Sequence, residues 1–592
     1  MPRSLGAQGW ASPRNAVLGT AVVALLAATG AVSPARSAQD ASCPSAVPVG
    51  EVARGMVVHG LTVTSGTTPD SFDGSVLGVL QDGIAPGLDM IMVKLSGSQI
   101  TDAAGDVDKG IWAGMSGSPV YTQDGRLLGA VAYGLSWSPS DVAGVTPATE
   151  MKELLDSAPA SAIRATASSS KKVAVPPATS ERLVSQGAMT TAQASGGFER
   201  LPMPFSVSGL SNSHLQKAAD RFGVKRPMVV GGSTSAAAAP TDIVAGGNVA
   251  ASLSYGDITD AGIGTVTAVC GEEVLAFGHP MLFSGYSTLS MHGADAIYIQ
   301  KDSVFGSFKV ANPSAPVGRI TGDHLAGIHG VTKGHPRRIN VTSSVRATNG
   351  NSRDGKTVIT YRPATPFLSA IHLLSNADRV LDEIGGGTAT VNWTFDGTRA
   401  DGTPWTFTHG DRFASRRDIT FSSIFESYSQ MSKILHNNFE KVRITDVHYD
   451  ATYSSKFDAL EIAKFEIKPA GKWITITSHR PARRVYAGTD LPVRVTLDPV
   501  RGTADPTRVK LSVHIPNARG GEGVLYVGGG DGSGTKASSF DELLTKLAAA
   551  PRNDTLAANL VFESRKGLIR DSDTQAVSNV VSGYEHVHLF VR

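Results

Sequence analysis

Residues 114–119 of the chain are GMSGSP, a G-x-S-G-x-P pattern from which the interpretation of the fold begins. A serine that attacks a carbonyl group needs its oxygen exposed on a tight turn, with backbone N–H groups directed at the negative charge that develops. Gly114 and Gly117 allow the backbone dihedral angles that such a turn requires. The pattern therefore predicts that Ser116 is a nucleophile and that the N–H groups of Gly114 and Ser116 form an oxyanion hole.

The residues after this turn predict a β-hairpin followed by a helix. Strand-like residues at 119–121 and 126–134 flank an Asp-Gly pair at 124–125, which favours a turn. GVTP at 144–147 then leads into a helical start at Ala148. This order is the one that follows the serine in a chymotrypsin-like second barrel. A chain with 64 glycines can contain G-x-S-G by accident. The hairpin that follows the motif is therefore the evidence that favours a serine nucleophile over a chance match.

The composition is that of a globular, β-rich protein. The 592 residues suffice for roughly two to four domains, and 41% hydrophobic with 18% charged residues excludes a disordered chain. A net charge of +2 argues against a dedicated nucleic-acid surface or a polybasic membrane surface. No clustered pattern of His, Cys and carboxylate residues indicates a metal site, so neither a metal nor a cofactor is expected.

Residues 1–38 are predicted to be a bacterial-type export signal. Arg3 and Arg14 are basic, residues 16–32 form an apolar run, and residues 33–38 include small residues that suit cleavage near Ala35 or Ala38. An uncleaved anchor is the alternative, since the apolar run has the minimum length for spanning a bilayer. Cleavage is favoured, which predicts a secreted, extracellular or cell-envelope protein with no stable membrane span after removal of the signal.

Cys43 and Cys270 are the two cysteines of the chain. In an oxidising compartment they can form one disulfide, which would tie the start of the mature protein to the middle of the chain. Two buried free thiols are the alternative, and the sequence leaves the choice open.

Composition and periodicity divide the rest of the chain into five segments. In chain order these are a β-rich unit that carries Ser116 (39–156), a linker rich in Ala, Ser and Thr (157–200), a second β-rich unit (201–362), a mixed α/β accessory region (363–470) and a β-sandwich-like module (471–592). Strands are predicted at 56–63, 75–80, 90–95, 262–269, 274–277, 491–497 and 509–515, and a helix at 367–384. Ser539 and Glu542 predict a capping box that opens a short helix, which ends before Pro551.

A serine nucleophile also needs a general base, most often a histidine. The chain has 15 histidines, and residue types alone do not select one. His279 has the most suitable setting, because it stands at a strand end between Gly278 and Pro280. His59, within a V-V-H-G strand, is the second candidate.

Two stretches of the chain resemble the SpoIVB-type serine peptidases, the family of stage IV sporulation protein B. Residues 110–119, with GAV at 129–131, are similar to the family's G-M-S-G-S-P serine motif and the strand behind it. Residues 275–279, LAFGH, are similar to the glycine-histidine motif that holds the family's catalytic base. A weaker similarity continues at 305–308, 318–320 and 327–330, so that the resemblance covers about 52–150 and 255–345, under half of the chain.

The resemblance implies a mainly β fold with a trypsin-like double β-barrel and a Ser/His/Asp mechanism. It implies His279 as the base that takes the proton of Ser116. The family's third residue is an aspartate in an I-T-D context before the serine, and Asp102 stands in that context here. Asp106 and Asp108 are alternatives, and either could equally be a solvated turn carboxylate.

The chain departs from the family in the order of its halves. In the sporulation peptidases the histidine half comes first, whereas here Ser116 precedes His279, so the halves are expected to be permuted. Triad geometry does not depend on chain order. Whether one chain or two chains close the site stays open, and no PDZ pattern is present, so the family's signalling role is not transferred.

These observations predict a secreted serine endopeptidase that hydrolyses proteins or peptides through an acyl-enzyme. The linker at 157–200 is a candidate for self-cleavage. A catalytically inactive secreted binding or scaffold protein on a peptidase fold is the alternative, and an esterase with the same residues is the third hypothesis. Substrate preference, oligomeric state and the role of the C-terminal region do not follow from the sequence.

Overall fold

The computed structural model describes residues 43–592 except 137–138, 157–171, 204, 227, 233–239, 303–305, 478, 480, 501–504, 518, 531–535 and 565–566. The predicted export signal lies outside the described residues. Among the helices of the described part, none is both long and apolar enough to cross a membrane. Residues 43–592 form one compact, mainly β unit.

Six antiparallel strands close a barrel, and the turn that carries Ser116 leads into its fourth strand. They are β1 (Val57–Thr62), β2 (Asp70–Ala85), β3 (Leu88–Ser96), β4 (Pro119–Thr122), β5 (Leu127–Leu135) and β6 (Val142–Pro147). A 3₁₀ turn (Val49–Glu51) precedes them, and helix α1 (Ala148–Asp156) follows. The pairing order is β1–β2–β3–β6–β5–β4, and β4 pairs back with β1. The strands and the hairpin predicted for this unit are confirmed, and apolar side chains such as Ile91 and Val131 fill its core.

The described part of the predicted linker is structured. It contains β7 (Lys172–Val173), α2 (Pro177–Ser185), α3 (Thr191–Gly196) and β8 (Phe198–Arg200). β8 pairs with β5, and Leu183 and Phe198 are buried against the first barrel. Most residues around these two apolar side chains are small or polar, so composition predicts a linker here. The prediction is wrong for residues 172–200, which pack on the first barrel. Residues 157–171 lie outside the described residues.

A second ring of six antiparallel strands carries His279. The elements of this region are β9 (Phe205–Val207), α4 (Asn212–Phe222), β10 (Met228–Val230), β11 (Asn248–Gly256), β12 (Asp260–Cys270), β13 (Glu273–Ala276), β14 (Gly285–Gln300), β15 (Phe308–His324) and β16 (Gly327–Val331). The ring runs β11–β12–β13–β16–β15–β14, and β14 pairs back with β11.

The sheet of the second ring continues into the region predicted to be a separate accessory part. The further elements are β17 (Ile339–Ala347), β18 (Ser352–Ile359), a 3₁₀ turn (Arg362–Ala364), α5 (Thr365–Leu381), β19 (Gly387–Arg399), β20 (Pro404–Ser415), α6 (Ile419–Ser422), α7 (Phe425–Leu435) and β21 (Val442–Ser454). β18 pairs with β11, and the sheet proceeds through β17, β21, β19 and β20. The boundary predicted at 362 therefore divides one continuous sheet. α5 ends at Leu381 because Asp382 adopts a left-handed conformation with φ 56°.

The C-terminal module consists of two sheets over one apolar core, the arrangement of a β-sandwich. Its elements are β22 (Leu460–Ile467), a 3₁₀ turn (Pro469–Gly471), β23 (Ile474–Thr475), β24 (Arg483–Val485), β25 (Asp490–Pro499), β26 (Thr507–His514), β27 (Glu522–Gly529), α8 (Phe540–Ala548), β28 (Thr555–Ser564), β29 (Gly567–Ala576), β30 (Val581–Ser582) and β31 (Tyr584–Val591). The module begins with β22, earlier than the predicted boundary at 471. The predicted N-cap of α8 is confirmed, since the Glu542 N–H donates to Ser539 Oγ. The reciprocal half of the capping box is not formed among the described residues, because the Glu542 carboxylate accepts the N–H of Ser538 and not that of Ser539.

Cys43 and Cys270 form a disulfide. The bond joins the start of the described chain to the end of β12, so it crosses from the first barrel's side of the molecule to the second ring. Of the two alternatives that the sequence left open, the structure has the disulfide.

Candidate active site

The first barrel and the second ring of strands bring Ser116 and His279 together, although 163 positions separate these residues in the chain. Ser116 Oγ lies 2.8 Å from Nε2 of His279. Both side chains are buried, with exposed fractions of 1% and 0%. A single chain therefore supplies both members of the pair.

Strand β12 of the second ring holds the carbonyl groups of the serine turn. The Thr265 N–H donates to Ser116 O at 2.8 Å, and the Thr265 hydroxyl donates to Gly114 O at 3.0 Å. The Thr267 hydroxyl donates to Gly117 O at 2.8 Å. Three successive contacts therefore fix the orientation of the peptide groups around Ser116.

The predicted oxyanion donors are free within the described part of the chain. The neighbouring N–H groups are occupied, since Ala113 donates to Ser307 O and Gly117 donates to Val131 O. The N–H groups of Gly114 and Ser116 donate to no acceptor among the described residues. Two unpaired donors therefore belong to the same turn as the Ser116 hydroxyl.

A γ-turn delivers His279 to the serine. The Gly278 N–H donates to Ala276 O at 2.9 Å, which places Phe277 at the turn centre with φ 70°. A positive φ is costly for a bulky residue and persists only where surrounding contacts enforce it. Here the ring of Phe277 is fully buried, and the Thr146 hydroxyl of the first barrel donates to Gly278 O at 2.6 Å. The first barrel and the second ring of strands therefore both hold the imidazole of His279 in place.

The hydrogen bonds of His279 determine its tautomer. Nδ1 lies 2.9 Å from Pro280 O, and because a carbonyl oxygen only accepts, Nδ1 carries the hydrogen. Nε2 is then the acceptor for the Ser116 hydroxyl. Burial, together with the positive charge of Arg200, lowers the pKa of His279 to about 3, although the Pro280 carbonyl opposes this shift. The imidazole is therefore neutral and oriented to accept a proton from Ser116.

Asp102 does not contact this imidazole, because Ser116 and Pro280 occupy both ring nitrogens. The Asp102 carboxylate is exposed and accepts the N–H groups of Ala104 and Asp106, each at 2.9 Å. It closes a local turn, a frequent role of aspartate. The Pro280 carbonyl thus orients the imidazole of His279, which is the role that the sequence predicts for Asp102.

The other sequence candidates also lie apart from the pair. Asp106 is exposed, and Asp108 is bonded to Lys109 and Lys301, which lower the pKa of its carboxyl group. The ring of His59 stacks on Tyr121 with ring centres 5.6 Å apart. None of these three side chains hydrogen-bonds to Ser116 or His279.

The start of β15 covers the serine turn. The Lys309 N–H donates to Ala113 O at 2.9 Å, and a Cβ atom on Gly114 would lie 2.8 Å from Lys309 Cβ. Nζ of Lys309 is buried and donates to Asn248 Oδ1 at 2.7 Å, while burial lowers the pKa of this ammonium group to about 7. No sequence pattern marks Lys309 or Asn248, because their proximity to Gly114 arises only from packing.

Comparisons of the chain with protein-family models, curated proteins and solved structures found no match. Within the part of the chain that the structure describes, no group of three or more His, Cys, Asp or Glu residues could hold a metal ion. The contacts of Ser116 and His279 are the chemical evidence that this structure provides.

Proposed function

We propose that this protein is a serine peptidase of the SpoIVB-like type, with Ser116 as nucleophile and His279 as general base. The observation that carries the proposal is the 2.8 Å contact between Ser116 Oγ and Nε2 of a histidine whose other nitrogen donates to a carbonyl. Two closed six-stranded rings with the pair between them support a trypsin-like double barrel whose halves occur in exchanged order.

The reaction follows from the tautomer of His279. Ser116 Oγ attacks the peptide carbonyl carbon while its proton moves to Nε2, and the N–H groups of Gly114 and Ser116 bind the oxyanion. The C–N bond breaks as Nε2 gives that proton to the leaving amine. A water molecule then hydrolyses the acyl-enzyme by the same proton path and releases Ser116.

A catalytically inactive binding or scaffold protein is the second candidate, and specific observations favour it. Ser116 and His279 are both almost fully buried, and the start of β15 packs on the serine turn. An imidazolium ion at His279 would face the charge of Arg200 without a carboxylate partner. On this alternative, replacing Ser116 leaves every function of the protein intact.

Labelling with a fluorophosphonate probe tests the proposal. Wild type is expected to label, Ser116→Ala to lose labelling, and His279→Ala to react at least about a hundredfold more slowly. Ser118→Ala is the matched control, because Ser118 is buried in the same turn but bonds to the Thr62 hydroxyl at 3.0 Å. If wild type labels no more than Ser116→Ala, while a control protease reacts, the proposed serine mechanism is wrong. Turnover of small esters without peptide cleavage would instead indicate an esterase.

A further inference from the structure

A cavity of about 460 Å³ lies between helix α1 and strands β13–β16, and neither Ser116 nor His279 lines it. We propose that it binds a small organic anion through a carboxylate or phosphate group. Its volume falls in the range of small-molecule sites, which favour junctions between structural units. Here Leu154 of α1 and the strands of the second ring line the same space.

The cavity carries an excess of positive charge. Arg319 and Arg337 supply it, and neither guanidinium group forms an ion pair or a side-chain hydrogen bond among the described residues. Glu273 is the one carboxylate among the described lining residues, and Nε2 of the neighbouring His329 already binds it. Unpaired guanidinium groups suit carboxylate and phosphate oxygens, which they bind with two parallel hydrogen bonds.

A buried hydroxyl provides independent evidence for a ligand. Ser287 lines the cavity with an exposed fraction of only 3%, and its Oγ has no hydrogen-bond partner among the described residues. A buried polar atom without a partner is unfavourable, so such an atom in a native structure points to a group that binds there. An oxygen of the anion, held by the arginines, would satisfy this hydroxyl.

The remaining wall favours a ligand with an apolar body. Leu154, Ile320, Val331 and Pro336 contribute it, and Ile320 is almost fully buried. Apolar walls with a few polar groups are typical of sites for small organic molecules. A free inorganic ion would leave most of the cavity unfilled.

Titration calorimetry on the full chain with phenyl phosphate, benzoate and benzyl alcohol tests the proposal. One or both anions are expected to bind, and the neutral alcohol is not. Arg319→Gln and Arg337→Gln should each weaken binding about tenfold. Ser287→Ala should also weaken binding, while leaving the unfolding temperature of the ligand-free protein unchanged or higher. Arg338→Gln is the matched control, since this exposed arginine does not line the cavity.

The two anions separate the sources of the charged group. Binding of phenyl phosphate alone indicates a phosphate ester, binding of benzoate alone a carboxylate, and binding of both a site that recognises charge. The proposal is overturned if neither anion binds wild type at about millimolar concentration. Equal binding by wild type and by the Arg319→Gln/Arg337→Gln double variant, or an equal loss in Arg338→Gln, overturns it as well.

Discussion

The neutral imidazole of His279 has a consequence for the pH dependence of Ser116. A general base works only in its unprotonated form, which exists above its pKa. Because burial lowers the pKa of His279 to about 3, acidification should not reduce labelling near the ordinary value of 6.5. We expect a flat labelling rate from about pH 5 to about pH 8, measured with the fluorophosphonate probe. A decline centred near the ordinary value would show that the reactive state has a solvated imidazole.

The local bonding of Asp102 predicts that its charge is dispensable. Asp102→Asn should change the labelling rate by no more than about twofold, whereas loss of a triad carboxylate costs roughly ten-thousandfold. The reason is that, among the described residues, the Asp102 carboxylate binds only N–H groups of its own turn. His279→Ala, assayed in parallel, shows the size of a real loss of base function. If the labelling rate of Asp102→Asn fell to that of His279→Ala, the loop that carries Asp102 would have to move to His279 when substrate binds.

At the scale of elements, the serine turn is locked against β12 at Gly117. A Cβ atom there would lie 1.9 Å from Thr265 O, and its φ is 98°. Gly117→Ala should therefore lower the free energy of unfolding by at least about 3 kcal/mol, measured by denaturant titration. Gly125→Ala is the matched control, since its φ is 80° but no atom lies within 4 Å. It should lose only about 1 kcal/mol, and equal losses would show that backbone strain alone sets the cost.

At the scale of the whole molecule, a buried carboxyl joins the main sheet to the C-terminal module. Asp411 of β20 accepts the N–H of Asn553, just before β28, at 2.7 Å. Burial, with the nearby Glu426, raises the pKa of Asp411 to about 8. The folded state thus favours the protonated form, so the stability that Asp411 contributes is fully present below the ordinary pKa of 3.8 and is lost as pH rises from there through about 8.

Denaturant titrations at several pH values check this linkage. Between about pH 5 and pH 8, wild type should lose roughly 1 kcal/mol in free energy of unfolding for each pH unit. Asp411→Asn keeps the shape of the side chain without its charge, so its stability should change less over this interval. An identical pH slope in both proteins would contradict the assignment to Asp411.

Local chemistry made part of this molecule predictable. The turn at Ser116, the hairpin after it and the cap at Ser539 depend on neighbouring residues, and the structure has all three. The motif resemblance also selected His279, which residue types alone did not. The Pro280 carbonyl had no comparable signal, because every residue carries a carbonyl and only the folded chain shows which one faces a ring nitrogen.

Packing decided the remaining features. The sheet passes position 362 because β18 pairs with β11, a contact between distant segments that local periodicity does not encode. Lys309 reaches Asn248 and Gly114 for the same reason. Residues 172–200 join the first barrel through a few apolar side chains, including Phe198, in a segment that is otherwise small and polar.

The disulfide restricts how the chain can be mispaired. Cys43 and Cys270 are its two cysteines, so a molecule that closes any internal bond has closed the native one. Scrambled isomers within one polypeptide do not exist for this protein. The non-native disulfides that its thiols can form with each other join one copy of the chain to another. Oxidative refolding at high dilution would suppress these intermolecular bonds.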